Sequence, residues 1–455
     1  MRPHSLLFGI LSLVGTGSAA LTLDIEDPQS IRDNAALIAY DLLSTYYKGN
    51  QSGQTPGIMP GPPPDGDYYW WQGGALWGTM IDYWHYTGDE SYVNTTKEAL
   101  LFQTGPDNNY MDKNWTASLG NDDQAFWALS TMLAAETRFS DPEPTDPKQW
   151  LALTQAVFNT QAAPDRHDNT CGGGLRWQIP PYNNGYNYKN RYIDANYDVH
   201  DGGHVEANCT DINRAQFSYN SGMLLQGAAF MYNYTAEHTD NETMSTTEAA
   251  YWETEVKALL NATIRNFYPD NIAKEPACED VGTCTSDMYS FKGYVARWMA
   301  VTAQLAPFAK DTIMATLKTS AQAAIQTCSG SPTINPNGRM CGFKWHETTW
   351  DGTTGAGQQM NVLATLVSLL ATTDVVATTG GDGGTPVTNS TGGTSGGDAA
   401  AGYGGRPWED YVRPVTTADK AGAGIVTVAL VGSFVAGALW ISLDESPGSF
   451  GNLFS

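Results

Sequence analysis

Asp122 and Asp123 are the one adjacent aspartate pair in this chain, in the frame Gly120-Asn121-Asp122-Asp123-Gln124-Ala125-Phe126-Trp127. Glycoside hydrolysis needs two carboxyl groups, one to protonate the leaving oxygen and one to attack or to activate water. Neighbouring residues can hold their carboxyls roughly 5 Å apart, the separation associated with retention of configuration. Like charges that close drive the two proton affinities apart, which suits one acid and one nucleophile. The competing expectation is a helix cap, with Asn121 or Asp122 at the N-cap and the second carboxylate favoured by the helix dipole.

The elements that must position this pair are helical. Apolar residues recur at three- and four-residue steps from Ile31 to about Thr372, as in Leu37, Tyr40, Leu43 and Tyr47. The pattern predicts ten helices, at 31–47, 72–87, 91–104, 121–138, 147–160, 213–236, 248–267, 287–306, 309–327 and 355–371. Strand alternation is scarce, so an all-α toroid of helical hairpins is expected. Two Gly/aromatic loops stand out, Tyr68-Tyr69-Trp70-Trp71-Gln72-Gly73-Gly74 and Cys171-Gly172-Gly173-Gly174-Leu175-Arg176-Trp177-Gln178. Such loops form either tight turns with buried rings or a sugar cleft, where glycine admits the backbone and rings stack.

Composition narrows the class. With 48 acidic against 24 basic residues the net charge is -24, which excludes nucleic acid as a partner because phosphate binding needs a basic surface. No Cys/His cluster has zinc spacing, and no metal or other cofactor is expected. Nothing in the sequence fixes an oligomeric state.

The N-terminus reads as a secretory signal over residues 1–20, with Arg2, an apolar run from Leu6 to Val14, and Ser18-Ala19-Ala20 as the cleavage site. The six cysteines then face an oxidising compartment. Fifteen pairings are open to them. Cys278 with Cys284 and Cys328 with Cys341 would close short loops, leaving Cys171 with Cys209. Eight glycosylation sequons, at Asn50, Asn94, Asn114, Asn208, Asn233, Asn241, Asn261 and Asn389, fit a secreted eukaryotic glycoprotein.

The catalytic toroid is expected over 21–377. Residues 378–420 read as a Gly/Ser/Thr-rich stalk. Residues 421–443 carry no charge and are long enough to cross a membrane. They read either as a retained span or as the cleaved signal for a lipid anchor; the polar tail 444–455 argues against the second, and its lack of Lys and Arg argues against the first.

Taken together, the motifs resemble glycoside hydrolase family 76, the α-1,6-mannanases, in its fungal "defective cell wall" membrane-anchored branch. They run in family order over roughly residues 25–372. Besides Gly120-Asn121-Asp122-Asp123-Gln124 they are Trp70-Trp71-Gln72-Gly73-Gly74, Cys171 to Gln178, Tyr188-Lys189-Asn190 and Phe217-Ser218-Tyr219-Asn220 with Gly227-Ala228-Ala229. Phe291-Lys292-Gly293 with Arg297, Cys341-Gly342-Phe343-Lys344-Trp345, Trp350-Asp351-Gly352 and Gly357-Gln358-Gln359-Met360 complete the set.

The resemblance implies an (α/α)6 barrel with the Asp pair in a cleft at one end and retaining chemistry on α-1,6-linked mannose. Asp122 would be the nucleophile and Asp123 the general acid/base. Trp70, Trp71, Trp177 and Tyr219 are expected to wall the sugar, and Arg176, Lys189 and Lys292 to hydrogen-bond its hydroxyls or an anchor phosphate. The resemblance further implies mannan or the glycan of a glycosylphosphatidylinositol anchor as donor, cell-wall glucan as acceptor, and a place at the cell surface, held to the membrane by the C-terminal segment. The rival expectation is a non-catalytic glycan-binding or structural wall glycoprotein.

One departure from the family pattern matters. Asn190 runs straight into Arg191-Tyr192-Ile193-Asp194, where the family carries a further helical hairpin. Ten predicted helices instead of twelve say the same. Residues 186–212 are therefore expected to be extended or irregular, with a gap in the helical ring beside them.

Overall fold

The computed structural model describes residues 21–112, 114, 119–168, 171–179, 186–188, 192–237, 246–371, 391–402 and 415–442. Ten helices build the body: α1 (Pro28–Tyr46), α2 (Trp70–Thr87), α3 (Val93–Phe102), α4 (Asn121–Glu136), α5 (Trp150–Ala162), α6 (Ser218–Glu237), α7 (Thr246–Phe267), α8 (Phe291–Leu305), α9 (Lys310–Gln326) and α10 (Ala356–Ser368). All ten predicted helices are present. Local chemistry sets their ends. The Asp27 carboxylate accepts the Gln29 N–H at 2.9 Å ahead of Pro28 in α1. At the end of α2, Gly88 takes the left-handed conformation at φ 75°.

The even-numbered helices form an inner wall in the order α4, α2, α10, α8, α6, each packed on the next. The odd-numbered helices back them, with α5 on α4, α7 on α6 and α1 on α10. Inner helices are covered on nearly every face, which is why every residue of α10 is buried. The core runs through this double layer, from Ile38 and Leu42 on α1 across Trp77 and Met80 on α2 to Met299 on α8 and Leu363 on α10.

The ring is open. The two helices that would close it, α4 and α6, do not pack on one another as their neighbours do. A groove of about 600 Å³ lies there, lined by Leu129, Leu133 and Phe158 on one side and Met223, Gly227 and Phe230 on the other. Phe158 is 70% exposed, and Leu129, Leu224, Met231 and Tyr234 are also bare. These apolar faces are what a further hairpin would cover. Between α5 and α6 stands a five-stranded antiparallel sheet in sequential order, β1 (His167–Asp168), β2 (Gly174–Arg176), β3 (Tyr186–Tyr188), β4 (Gly202–His204) and β5 (Ile212–Asn213). The expectation of extended, irregular chain over 186–212, with a gap beside it, is met at the described residues 186–188 and 192–212, while 189–191 lie outside them; the sheet itself was not foreseen.

Three disulfides brace the loops, Cys171–Cys209, Cys278–Cys284 and Cys328–Cys341. The first ties the loop before β2 to the loop after β4. Of the sequon asparagines, Asn50, Asn94, Asn114, Asn208 and Asn261 are exposed. Asn241 and Asn389 lie outside the described residues.

Beyond the body, α11 (Thr417–Ser442) contains a 23-residue stretch, Thr417–Leu439, with mean hydropathy 2.0 and no buried residue, long and apolar enough to cross a membrane. Within the expected stalk, residues 391–402 lie along the outer helix α5 and include the short hairpin β6 (Thr391–Gly392) and β7 (Ser395–Gly396). The signal segment 1–20 lies outside the described residues.

Candidate active site

The Asp pair opens α4. Gly120 is the N-cap, and the Asp123 carboxylate reaches back to accept the Gly120 N–H at 2.6 Å. Asp122 Oδ1 accepts the Asp123 N–H at 3.0 Å. Capping and catalysis are thus not alternatives here, since Asp123 satisfies the helix start and also faces a cavity. The loop carrying Trp177 fixes this helix end from outside. Asn121 donates its backbone N–H to the Trp177 carbonyl at 2.7 Å and its side-chain amide to the Arg176 carbonyl at 2.7 Å. Arg166 Nη1 donates to Asn121 Oδ1 at 2.8 Å. Gly120 lies so close to Trp177 that a Cβ would stand 3.0 Å from its indole nitrogen.

A cavity of about 310 Å³ is lined by Trp71, Asp122, Asp123, Phe126, Trp177, Asp201, Phe217, Tyr219, Asp287, Met288 and Phe291. Aromatic rings and four carboxyls in one concavity have the chemistry that a carbohydrate site needs, with rings for the C–H faces and acids for the hydroxyls and the glycosidic oxygen. Burial and the nearby Asp122 charge hold the Asp123 carboxyl well above the usual carboxylate range, against the lowering effect of the Gly120 N–H. A carboxyl that keeps its proton is what a general acid requires.

Two further carboxyls complete the site. Asp287 precedes α8, is pushed up to about 6 by burial and by Asp122, and takes a hydrogen bond from Trp71. Asp201 precedes β4 and is raised by burial, while Asn213 and Asn220 hydrogen-bond it at 3.1 and 3.4 Å. Neither was foreseen. Each is a single acid in a loop, with no local pattern to set it apart from the other acids of the chain. The rings of Phe217 and Phe291 belong to motifs already noted, but their place on the cavity wall emerges only from the fold.

Among the expected sugar contacts, Trp71, Trp177 and Tyr219 line the cavity. Trp71 packs on Phe126 at 4.6 Å and Tyr219 on Phe291 at 4.5 Å. Trp70 does not join them. Its indole donates to Gln103 Oε1 at 2.8 Å and its ring lies 5.0 Å from that of Trp127 in the main core. One residue's step along α2 turns the neighbouring side chain about 100° away.

Lys292 also belongs elsewhere. It is fully buried, with Nζ 2.8 Å from Glu279 Oε2, donating to the Phe343 carbonyl at 2.6 Å and lying over the Phe343 ring at 4.0 Å. Arg176 is outside the cavity, and its guanidinium donates to the Asp165 carbonyl at 2.8 Å. Its contribution to the site is the backbone carbonyl that holds Asn121. Lys189 lies outside the described residues.

The remaining motifs are framework. Arg297 pairs with Asp82, Gln359 accepts the Cys341 N–H at 2.6 Å, and Asp351 accepts the Phe343 and Lys344 N–H groups at 3.1 and 2.9 Å.

A helical toroid with a carboxylate-rich, aromatic-walled cleft at one end defines a carbohydrate-active enzyme of the α/α class. Comparison with known proteins gives the family. The profile of glycosyl hydrolase family 76 matches residues 30–193 and 191–380. The chain belongs to glycosyl hydrolase family 76. The two matched stretches meet at residues 191–193, the junction at which the family's hairpin is expected to be missing.

Mannan endo-1,6-alpha-mannosidase DCW1 of Saccharomyces cerevisiae is 38% identical, covering 93% of this chain and 95% of its own length. The protein of the same name from Candida glabrata is also 38% identical, over 97% of this chain and all of its own. The crystal structure of Dfg5 from Chaetomium thermophilum in complex with glucosamine is similar with a TM-score of 0.73 and 46% identity, covering 85% of this chain and 99% of that one. The Lin0763 protein of Listeria innocua, 15% identical with a TM-score of 0.54, shares the fold over 74% of this chain and 96% of its own.

Proposed function

We propose that this protein is a retaining, endo-acting α-1,6-mannosidase of the fungal cell surface that also transfers mannosyl chains to wall glucan. The supporting observation is the pair at the start of α4, where burial and the Asp122 charge raise Asp123 well above the usual carboxylate range and both carboxyls line one cavity. In this mechanism Asp122 attacks the anomeric carbon while Asp123 gives its proton to the departing oxygen. The glycosidic bond breaks and a mannosyl ester on Asp122 forms. Asp123, now a carboxylate, takes a proton from water or from a sugar hydroxyl as that oxygen attacks, and the ester is released.

Trp71, Trp177 and Tyr219 are the sugar-facing rings. The names of the curated relatives support α-1,6-mannan as the donor, and a glycosylphosphatidylinositol glycan is the finer assignment. The apolar helix α11 supports attachment to the membrane.

Incubating the protein with α-1,6-manno-oligosaccharides, with and without a β-glucan oligosaccharide, tests the proposal. Retained anomeric configuration in the first product and a mannosylated glucan in the second are expected. Binding without cleavage would instead establish the glycan-binding reading.

A further inference from the structure

The C-terminal segment does not simply hang from the body. Ser395, 1% exposed, accepts the Leu151 N–H at 3.2 Å and so caps the first turn of α5 from a distant part of the chain. The Asp398 N–H is received by Gln155 Oε1 at 2.6 Å. Asn159 then donates to the carbonyls of Ala399 at 3.0 Å and Ala401 at 2.7 Å. Gly402, at φ 76°, lies where a Cβ would stand 2.5 Å from the Ala156 carbonyl. The segment thus climbs α5 from its first turn to its last.

The active site is at the start of α4, and α5 returns antiparallel to α4, so the last turn of α5 is at the active-site end. Gln161, in that turn, donates to the Asn121 carbonyl at 2.6 Å, one residue before Asp122. About fifteen residues separate Gly402 from the apolar helix at Thr417, whereas about 45 separate Ala371, at the end of the body, from that helix. Fully extended, fifteen residues span at most about 50 Å and 45 residues about 150 Å, so docking cuts the tether's limit about threefold. The far end of the ring is about 24 Å further, the length of α4.

We propose that residues 391–402 are a strap that delivers the membrane anchor to the active-site end of the ring and holds the cleft mouth toward the membrane surface. The site would then meet glycans borne on that same membrane before soluble ones. The inference rests on attachment through α11, or through a lipid joined beyond Gly402, and not on the identity of the sugar.

The test uses the full membrane-attached protein in phosphatidylcholine vesicles containing an energy-acceptor lipid, with flotation showing that it is attached. A fluorescent amino acid is placed at Glu206, exposed beside β4 at the mouth end, or at Glu143, exposed in the α4–α5 connection at the other end. Energy transfer should be stronger from Glu206. That difference should be lost when Asn159→Ala and Ser395→Ala are combined. It should also be lost when about thirty Gly/Ser residues are inserted after Gly402, a change that leaves the body and the strap contacts intact. Equal transfer from both positions in the unaltered protein, stronger transfer from Glu143, or a difference that survives the insertion would overturn the proposal. Because the readout is distance, it does not depend on whether the enzyme cleaves mannan.

Discussion

Replacing Lys292 with Met separates framework from cleft. The lysine is 0% exposed, its Nζ is 2.8 Å from Glu279 Oε2, and the Phe343 and Trp345 rings lie 4.0 and 5.1 Å from it. Glu279 is 4% exposed and Glu275 is fully buried, so Lys292→Met leaves a buried carboxylate without its cation. Breaking one side of a buried pair costs about 3–5 kcal/mol, and the methionine replaces only the packing of the alkyl stem. Domains are stable by about 5–15 kcal/mol, so roughly a fifth of the margin or more would go. The midpoint of thermal unfolding should fall on the order of 10 °C.

Adding Glu279→Gln should restore a large part of the loss, because the stranded charge is removed as well. KM for α-1,6-manno-oligosaccharides, measured below the transition, should stay within about twofold of the unaltered enzyme, since no sugar contact is deleted. An unchanged melting midpoint together with a KM raised tenfold would return the lysine to the sugar.

Asp122→Asn and Asp123→Asn should each keep the fold, as judged by circular dichroism, and lose at least ~100-fold in turnover; either variant retaining a tenth of the rate would not fit its assigned role. Trp177→Ala should weaken oligosaccharide binding with little change in melting temperature, while Trp70→Ala, in the core, should cost about 3–5 kcal/mol in urea unfolding. Stability should fall as pH rises because of Glu275, which burial pushes up to about 7. A raised acid contributes its stability fully below its unfolded value near 4.5 and loses it as pH climbs through 7, here by at most about 3 kcal/mol. Glu275→Gln should flatten that slope in urea melts at pH 4.5 and 7.5. Phe158→Ser, on the open seam, should reduce aggregation seen by light scattering without lowering activity.

The helices were legible because period and termini agree. The expected 309–327 is Lys310–Gln326, and 72–87 is Trp70–Thr87. The start of α6 was set too early, at 213 instead of Ser218, because Ile212–Asn213 pairs as β5. Strands of two or three residues are too short to show alternation, so the sheet had no signature. The Asp pair could be read since adjacency itself is a signal.

Trp70 and Lys292 were misplaced for one shared reason. An inner helix of a toroid is covered on nearly all faces, so periodicity cannot separate its cleft side from its core side. Asp201 and Asp287 join Asp122 on the cavity wall only through folding, from the chain just before β4 and the chain before α8. The missing hairpin was legible because an absent pair of helices changes a count.

In the proposed mechanism Asp122 carries the sugar between the two half-reactions. An activated 2-deoxy-2-fluoromannoside slows release of the ester, and peptide mass spectrometry then locates the adduct. One fluoromannosyl group on the peptide bearing Asp122, lost on adding an acceptor sugar and absent in Asp122→Asn, is the predicted result. An adduct on Asp201 or Asp287, or no adduct together with an inverted product, would contradict it.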